Sequence, residues 1–189
     1  MSKVQVVPHN PMWHSLFEQE AHQISTALGA ITKEIYHIGS TAIPDIYAKP
    51  IVDLLVIVED ISAVDTKLSE MILLGYEVMG EYGISGRRYF RKTHTNGVRT
   101  HHVHAFEIDA EPVKRHLLFR DYLIAHPEAA QQYSDLKRKL AQQYPMDSRA
   151  YTTGKDKFVR DILLEAECWQ KQLTSSDVDA LKQKQNEAI

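Results

Sequence analysis

Cysteine is almost missing from this sequence. The single one, Cys168, excludes an intramolecular disulfide and fits a reducing compartment. By its place in a helical segment it is expected to be an inert packing residue. Long apolar runs are missing too: none approaches the ~20 residues that span a bilayer, and Met1-Ser2-Lys3-Val4 opens no apolar core of signal-peptide length. A cytoplasmic protein without a membrane partner is the expectation. Charge of one sign is scarce. A net charge of −3 gives no global reason to expect nucleic acid as a partner, although a local basic patch remains compatible with it. There is no internal repeat and no low-complexity tract. What remains is 189 residues, 43% hydrophobic and 25% charged, enough for one domain with a sizeable core.

The pattern along the chain is α/β in front and α behind. Residues 4–7 are β-branched, then Pro8 and Pro11 interrupt. Asn10-Pro11 opens a helix, Asn as cap and Pro in the first turn, and Trp13, Phe17, Ala21, Ile24 and Leu28 recur at helical spacing up to Gly29. Residues 35–38 read as a short strand and 51–58 as a buried one, followed by a helix over 61–74 that Gly75 ends. Strands over 87–92 and 98–108 are joined through Thr95-Asn96-Gly97, a strong hairpin signal. From Pro112 onward the pattern is helical, with breaks at His126-Pro127, Tyr144-Pro145 and Thr153-Gly154. One domain over 1–170 is expected, and a tail over 171–189 that is a solvated helix or a frayed end.

Two segments carry the chemistry: His37-Ile38-Gly39-Ser40-Thr41-Ala42-Ile43-Pro44, and Lys49-Pro50-Ile51-Val52-Asp53-Leu54-Leu55. Gly39 allows close backbone approach, and the N–H groups that follow, with the Ser40 and Thr41 hydroxyls, can form an anion nest. The same residues also suit a plain strand-to-helix turn capped by Ser40, and the two readings are compatible because a helix start itself attracts anions. Asp53 interrupts an aliphatic strand and shares a face with Ile51, Leu55 and Ile57. A carboxylate there needs a metal, a cavity or a hydrogen-bonding partner. It holds a divalent cation beside a phosphate, or it caps a turn, or it pairs with Lys49. Lys49 in turn pairs with Asp53, neutralises a phosphate or stays solvated. Four of the ten histidines lie between 94 and 104, and alternation puts His102 and His104 on one strand face. That pair suits metal ligation, contacts to a phosphate or base, or the lining of a polar groove.

In wording and order these segments resemble the opening motif of the DNA polymerase beta-type nucleotidyltransferase superfamily, and more narrowly the GrpB-like family within it. The family's later elements have counterparts too: Gly86-Arg87-Arg88-Tyr89-Phe90 before the His-rich strand, Arg120-Asp121-Tyr122-Leu123 with Ala125-His126-Pro127, and the i,i+4 pairs Tyr133/Lys137 and Tyr151/Lys155. The likeness runs from about Val4 to about Trp169. It implies a nucleotidyltransferase-like α+β fold: a small mixed sheet, flanking helices and a helical C-terminal section. It further implies transfer of a nucleotidyl group from a nucleoside triphosphate with Mg²⁺. Asp53 (also the metal ligand), His102 and His104 would be catalytic, and Gly39, Ser40, Thr41, Lys49, Arg88, Tyr151 and Lys155 would hold the nucleotide. Arg120 and Asp121 are expected as a structural ion pair. The superfamily carries a second carboxylate two positions after the first, and here that position is Leu55. Asp45, Glu107 and Asp109 are the available replacements. Two other functions therefore stand beside transfer: a non-catalytic nucleotide- or phosphate-binding module, and a metal-dependent hydrolase using Asp53, His102 and His104. Neither the acceptor nor the oligomeric state is legible.

Overall fold

The computed structural model describes residues 3–186 apart from Asn96. Five strands form one mixed sheet: β1 (Thr32–Ile38), β2 (Val52–Val58), β3 (Tyr76–Val78), β4 (Arg88–Thr93) and β5 (Arg99–Glu107), in the order β1-β2-β5-β4-β3. The central pair β2 and β5 is parallel, and every other neighbouring pair is antiparallel. Burial on both faces is why β2 reads as an almost unbroken aliphatic run.

Alternation along β2 divides the core in two. Val52, Leu54, Val56 and Val58 face one way with Val103, Ala105 and Phe90, and are covered by α1 (Met12–Leu28), α2 (Ile61–Asp65) and α3 (Leu68–Leu73). Leu55 and Ile57 face the other way with Phe106 and meet Val113 of α4 (Glu111–Ala125). Behind α4 lie α5 (Pro127–Gln143), α6 (Ser148–Thr153) and α7 (Asp156–Asn186). Tyr122, Leu123, Tyr133, Ile162 and Ala166 join α4, α5 and α7 and also cover Ile43 and Ile46 of the loop before β2. None of the described helices is long and apolar enough to cross a membrane.

The helical breaks fall where the sequence places them, at His126, Tyr144 and Gly154. Asn10 Oδ1 accepts the Met12 N–H at 3.0 Å, so it caps α1 as expected, and Gly29 ends the helix. The apolar stripe Phe158, Ile162, Ala166 and Trp169 packs as predicted, and α7 continues as helix through the polar tail to Asn186; residues 187–189 lie outside the described residues.

Other expectations are corrected. The β-branched residues 4–7, for which no element was expected, contribute a single bridge from Val7 to Ala48. The helix over 61–74 is two short ones, because the Thr66 hydroxyl bonds back to the Ala63 carbonyl at 2.7 Å and the chain turns there. The edge strand β3 was not foreseen; three residues bonded to β4 are too few to show a period. β4 and β5 do pair as a hairpin, closed by Gly97 N–H to His94 O at 2.8 Å, while Asn96 of its turn is outside the described residues. Cys168 is exposed, one position off the apolar stripe of α7, and does not pack.

Candidate functional site

The register of the parallel pair builds the centre of the site. Asp53 lies opposite His102 and Leu55 opposite His104, so Asp53, His102 and His104 project from the same sheet face. His102 Nδ1 donates to Asp53 Oδ1 at 3.0 Å. A carboxylate only accepts, so Nδ1 carries the proton of this bond, and Nε2 is buried without a hydrogen-bond partner. Arg87 Nη1 lies 3.4 Å from His104 Nδ1, while its other nitrogens bond the carbonyls of Glu81 and Tyr82. Tyr89 and His116 of α4 flank the His104 ring, with centroids 5.1 and 5.5 Å away. Behind Asp53 is Gly39 at φ 71°, where a Cβ would collide with Asp53 Oδ2. Only glycine lets the turn after β1 press this closely against the carboxylate.

Burial alone would push the Asp53 carboxyl up. The His102 hydrogen bond and the nearby His102, His104 and His116 rings outweigh it and hold the carboxyl below its ordinary range. Burial pushes His104 down to about 3 and lowers His116 as well, so both are neutral imidazoles at neutral pH.

Three lysines from separate elements line the adjoining wall. Lys137 of α5 is buried, its Nζ has no hydrogen-bond partner and sits 4.4 Å from the centre of the Tyr133 ring, and burial, with Lys155 nearby, pushes it down to about 7. Lys49 and Lys155 each place Nζ 4.9 Å from the Tyr151 ring, and Lys49 also donates to Ser148 Oγ at 3.3 Å. Burial lowers both, with Asp53 opposing, so Lys49 and Lys155 share an electrostatic neighbourhood with Asp53, and Lys137 adjoins it through Lys155. The Tyr133 hydroxyl is pushed up to about 12 by burial, moderated by a hydrogen bond with Ser40. Among the described residues no carboxylate forms an ion pair with Lys49, Lys137 or Lys155. Three lysine amines against one carboxylate make a wall that favours an anion.

Residues 3–165 match the family model described as GrpB protein. The chain belongs to the GrpB family. It is 43% identical over 169 residues to the UPF0157 protein YqkA of Bacillus subtilis (strain 168), covering 89% of this chain but 49% of that protein, so it spans about half the length of that relative. It is 38% identical to the glutamate-rich protein GrpB of Alkalihalophilus pseudofirmus, covering 86% of this chain and 95% of the other. The crystal structure of GrpB from Enterococcus faecalis superposes with a TM-score of 0.83 at 43% identity, covering 87% and 99% of the two chains. Terminal uridylyl transferase 4 from Trypanosoma brucei with bound dUTP superposes at 0.52 and 13% identity, over 78% of this chain and 52% of that one, which shows a shared nucleotidyltransferase-like fold.

Within this GrpB fold Gly39, Asp53, His102 and His104 form one cluster, Lys49 and Lys155 converge on Tyr151, and Ser40 bonds Tyr133. Two expected nucleotide contacts are not there. Thr41 is buried, with its hydroxyl engaged by His37 Nε2 at 2.9 Å and the Ile51 carbonyl at 3.3 Å, so it serves the turn itself. Arg88 lies opposite Ala105 on the other sheet face and forms a two-pronged bridge to Asp65 at 2.6 Å. Its neighbour Arg87 turns toward the histidines instead. Period-2 alternation over 87–92, anchored on His104, would have separated the two. Lys137 and Tyr133 were visible as an i,i+4 pair without a place, and His116 gave no signal beyond being a histidine. Arg120 binds Asp121 at 2.7 Å and the His37 carbonyl at 3.0 Å, a structural pair as expected. Glu107 accepts the Ile61 N–H at 3.1 Å at the far end of β5 and does not replace the carboxylate missing at Leu55. Asp53 with two histidines is the only cluster of three metal-ligating groups among the described residues. One carboxylate does not fit a two-magnesium centre, which needs several.

Proposed function

We propose that this GrpB protein binds a nucleoside triphosphate and transfers its nucleotidyl group to an acceptor hydroxyl. The observation that carries the reading is the set of three buried or half-buried lysines without carboxylate partners beside Asp53, His102 and His104. A triphosphate, arriving with the Mg²⁺ its own oxygens hold, supplies the negative charge this wall lacks. Lys49, Lys137 and Lys155 neutralise the phosphates, backbone N–H groups near Ser40 receive an oxygen, and Tyr133 and Tyr151 offer flat faces for the base or ribose. In the reaction the acceptor oxygen bonds to the α-phosphorus as the bond to the bridging oxygen breaks. Pyrophosphate leaves with its charge on the lysines, and the hydroxyl proton passes to water. Positioning and charge neutralisation do most of the work in such chemistry. A cytoplasmic location, where nucleoside triphosphates are made, goes with this reading.

Leu55 favours a second reading, a nucleotide- or phosphate-binding module without turnover. Calorimetric titration with a panel of nucleoside triphosphates, followed by an assay for released pyrophosphate, separates the two. Binding that Lys155→Met weakens, with pyrophosphate release, supports transfer. Binding without release under any acceptor supports the module, and no binding at millimolar nucleotide refutes both.

A further inference from the structure

We propose that Asp53, His102 and His104 form a mononuclear site selective for a borderline transition-metal dication of the cobalt–zinc class over Mg²⁺. The inference deepens the reading above by naming a resident ion for the same site, and it rests on that reading only for what the ion would assist. One ligand atom from each of the three residues lies within 4.8 Å of the others. The 3.0 Å between His102 Nδ1 and Asp53 Oδ1 is a hydrogen bond in this structure. It is also about the separation of two neighbouring ligands each about 2.1 Å from a shared, octahedrally coordinated ion, which would take the place of the Nδ1 proton.

The donor set decides the class. Mg²⁺ takes oxygen ligands in a strict octahedron, whereas two imidazoles and one carboxylate match the borderline metals and leave open positions for water or a phosphate oxygen. The frame is rigid. Asp53 and His102 are direct partners in the β2–β5 register, His104 is one repeat further, and the Gly39 turn backs the carboxylate. Tyr89 and His116 stand beside the two imidazoles.

The test uses the full chain after chelation. Cobalt(II) is titrated and followed by its visible absorption, zinc is measured by competition, and Mg²⁺ by calorimetry. One cobalt ion per chain should bind, displaced by zinc, with an affinity at least about 100-fold above that for Mg²⁺. His104→Gln and Asp53→Asn should each weaken cobalt binding at least about tenfold while circular dichroism shows an intact fold. Lys155→Met should leave it in place. Absence of cobalt binding by the folded wild-type chain overturns the inference, and so does binding that survives both ligand substitutions. Nucleotide binding is measured in parallel on chelated protein. A nucleotide response without cobalt bands refutes the metal site alone, and cobalt bands without any nucleotide response refute the transferase reading alone.

Discussion

Lys137→Met tests the lysine wall through stability, without any ligand. Lys137 is 1% exposed, and its folded-state value falls from the ordinary 10.5 to about 7. Each pH unit of that difference is worth 1.36 kcal/mol, so the charged lysine burdens the fold by about 4–5 kcal/mol. Methionine has nearly the same length and no charge to desolvate. The ring contact with Tyr133 that it gives up, worth about 1–2 kcal/mol, reduces the gain to about 2–4 kcal/mol. The sign follows from proton linkage. Below pH 7 both the folded and the unfolded lysine are charged and the burden is complete. Between pH 7 and 10.5 the folded lysine is neutral while the unfolded one is still charged, so the wild type recovers stability as pH rises. Urea unfolding of both proteins at pH 6, 8 and 10 should therefore show an advantage for the variant that is largest at pH 6 and nearly gone at pH 10. Affinity for pyrophosphate should fall at the same time, since a lysine kept at the fold's expense is kept for a ligand. A variant that is less stable at pH 6, or whose advantage does not change with pH, would refute the unpartnered-lysine argument.

Gly39→Ala adds a Cβ at φ 71° against Asp53 Oδ2; urea unfolding should show a loss of about 2–4 kcal/mol, and the His102 ring resonances should shift as the Asp53 bond is disturbed. Glu20, 6% exposed, holds Lys92 at 2.8 Å across the opposite face of the sheet. Glu20→Gln should cost about 3 kcal/mol by denaturant titration and leave nucleotide affinity unchanged, the lower end of the buried-pair range because Lys92 keeps some solvent contact. Arg88→Ala removes an ion pair whose aspartate is 44% exposed; thermal unfolding should change by no more than about 1 kcal/mol, with no effect on ligand binding. A large loss of nucleotide affinity in that variant would restore Arg88 to the site.

Much of the site was legible because strand period is reliable over short distances. Alternation alone put His102 and His104 on one face and Asp53 with Leu55 on another strand's face. What sequence cannot carry is register between strands 49 positions apart, and it is register that turns two faces into one cluster. The same limit explains Lys137. Its spacing from Tyr133 marked a helix face, but which face of α5 meets the sheet depends on how α4 and α7 pack around Tyr122, Ile162 and Ala166. Arg88 was misplaced for a smaller reason: of two adjacent arginines only one can face the histidines, and β4 begins at Arg88, with Arg87 just before it. The helix breaks were read correctly because Pro127, Pro145 and Gly154 act through local backbone sterics, which need no tertiary information. The three-residue β3 has no such local signature; its pairing to β4 stabilises it.

The carboxylate–imidazole cluster belongs to the sheet, and two of the three lysines belong to the helical section behind it. A ligand that touches both is therefore a rivet between two layers that otherwise meet mainly through side-chain packing. Its binding energy would be felt as resistance of α5, α6 and the start of α7 to swinging away from the sheet. In hydrogen exchange such a ligand would protect amides well beyond the atoms it touches, and its departure would free the helical layer first.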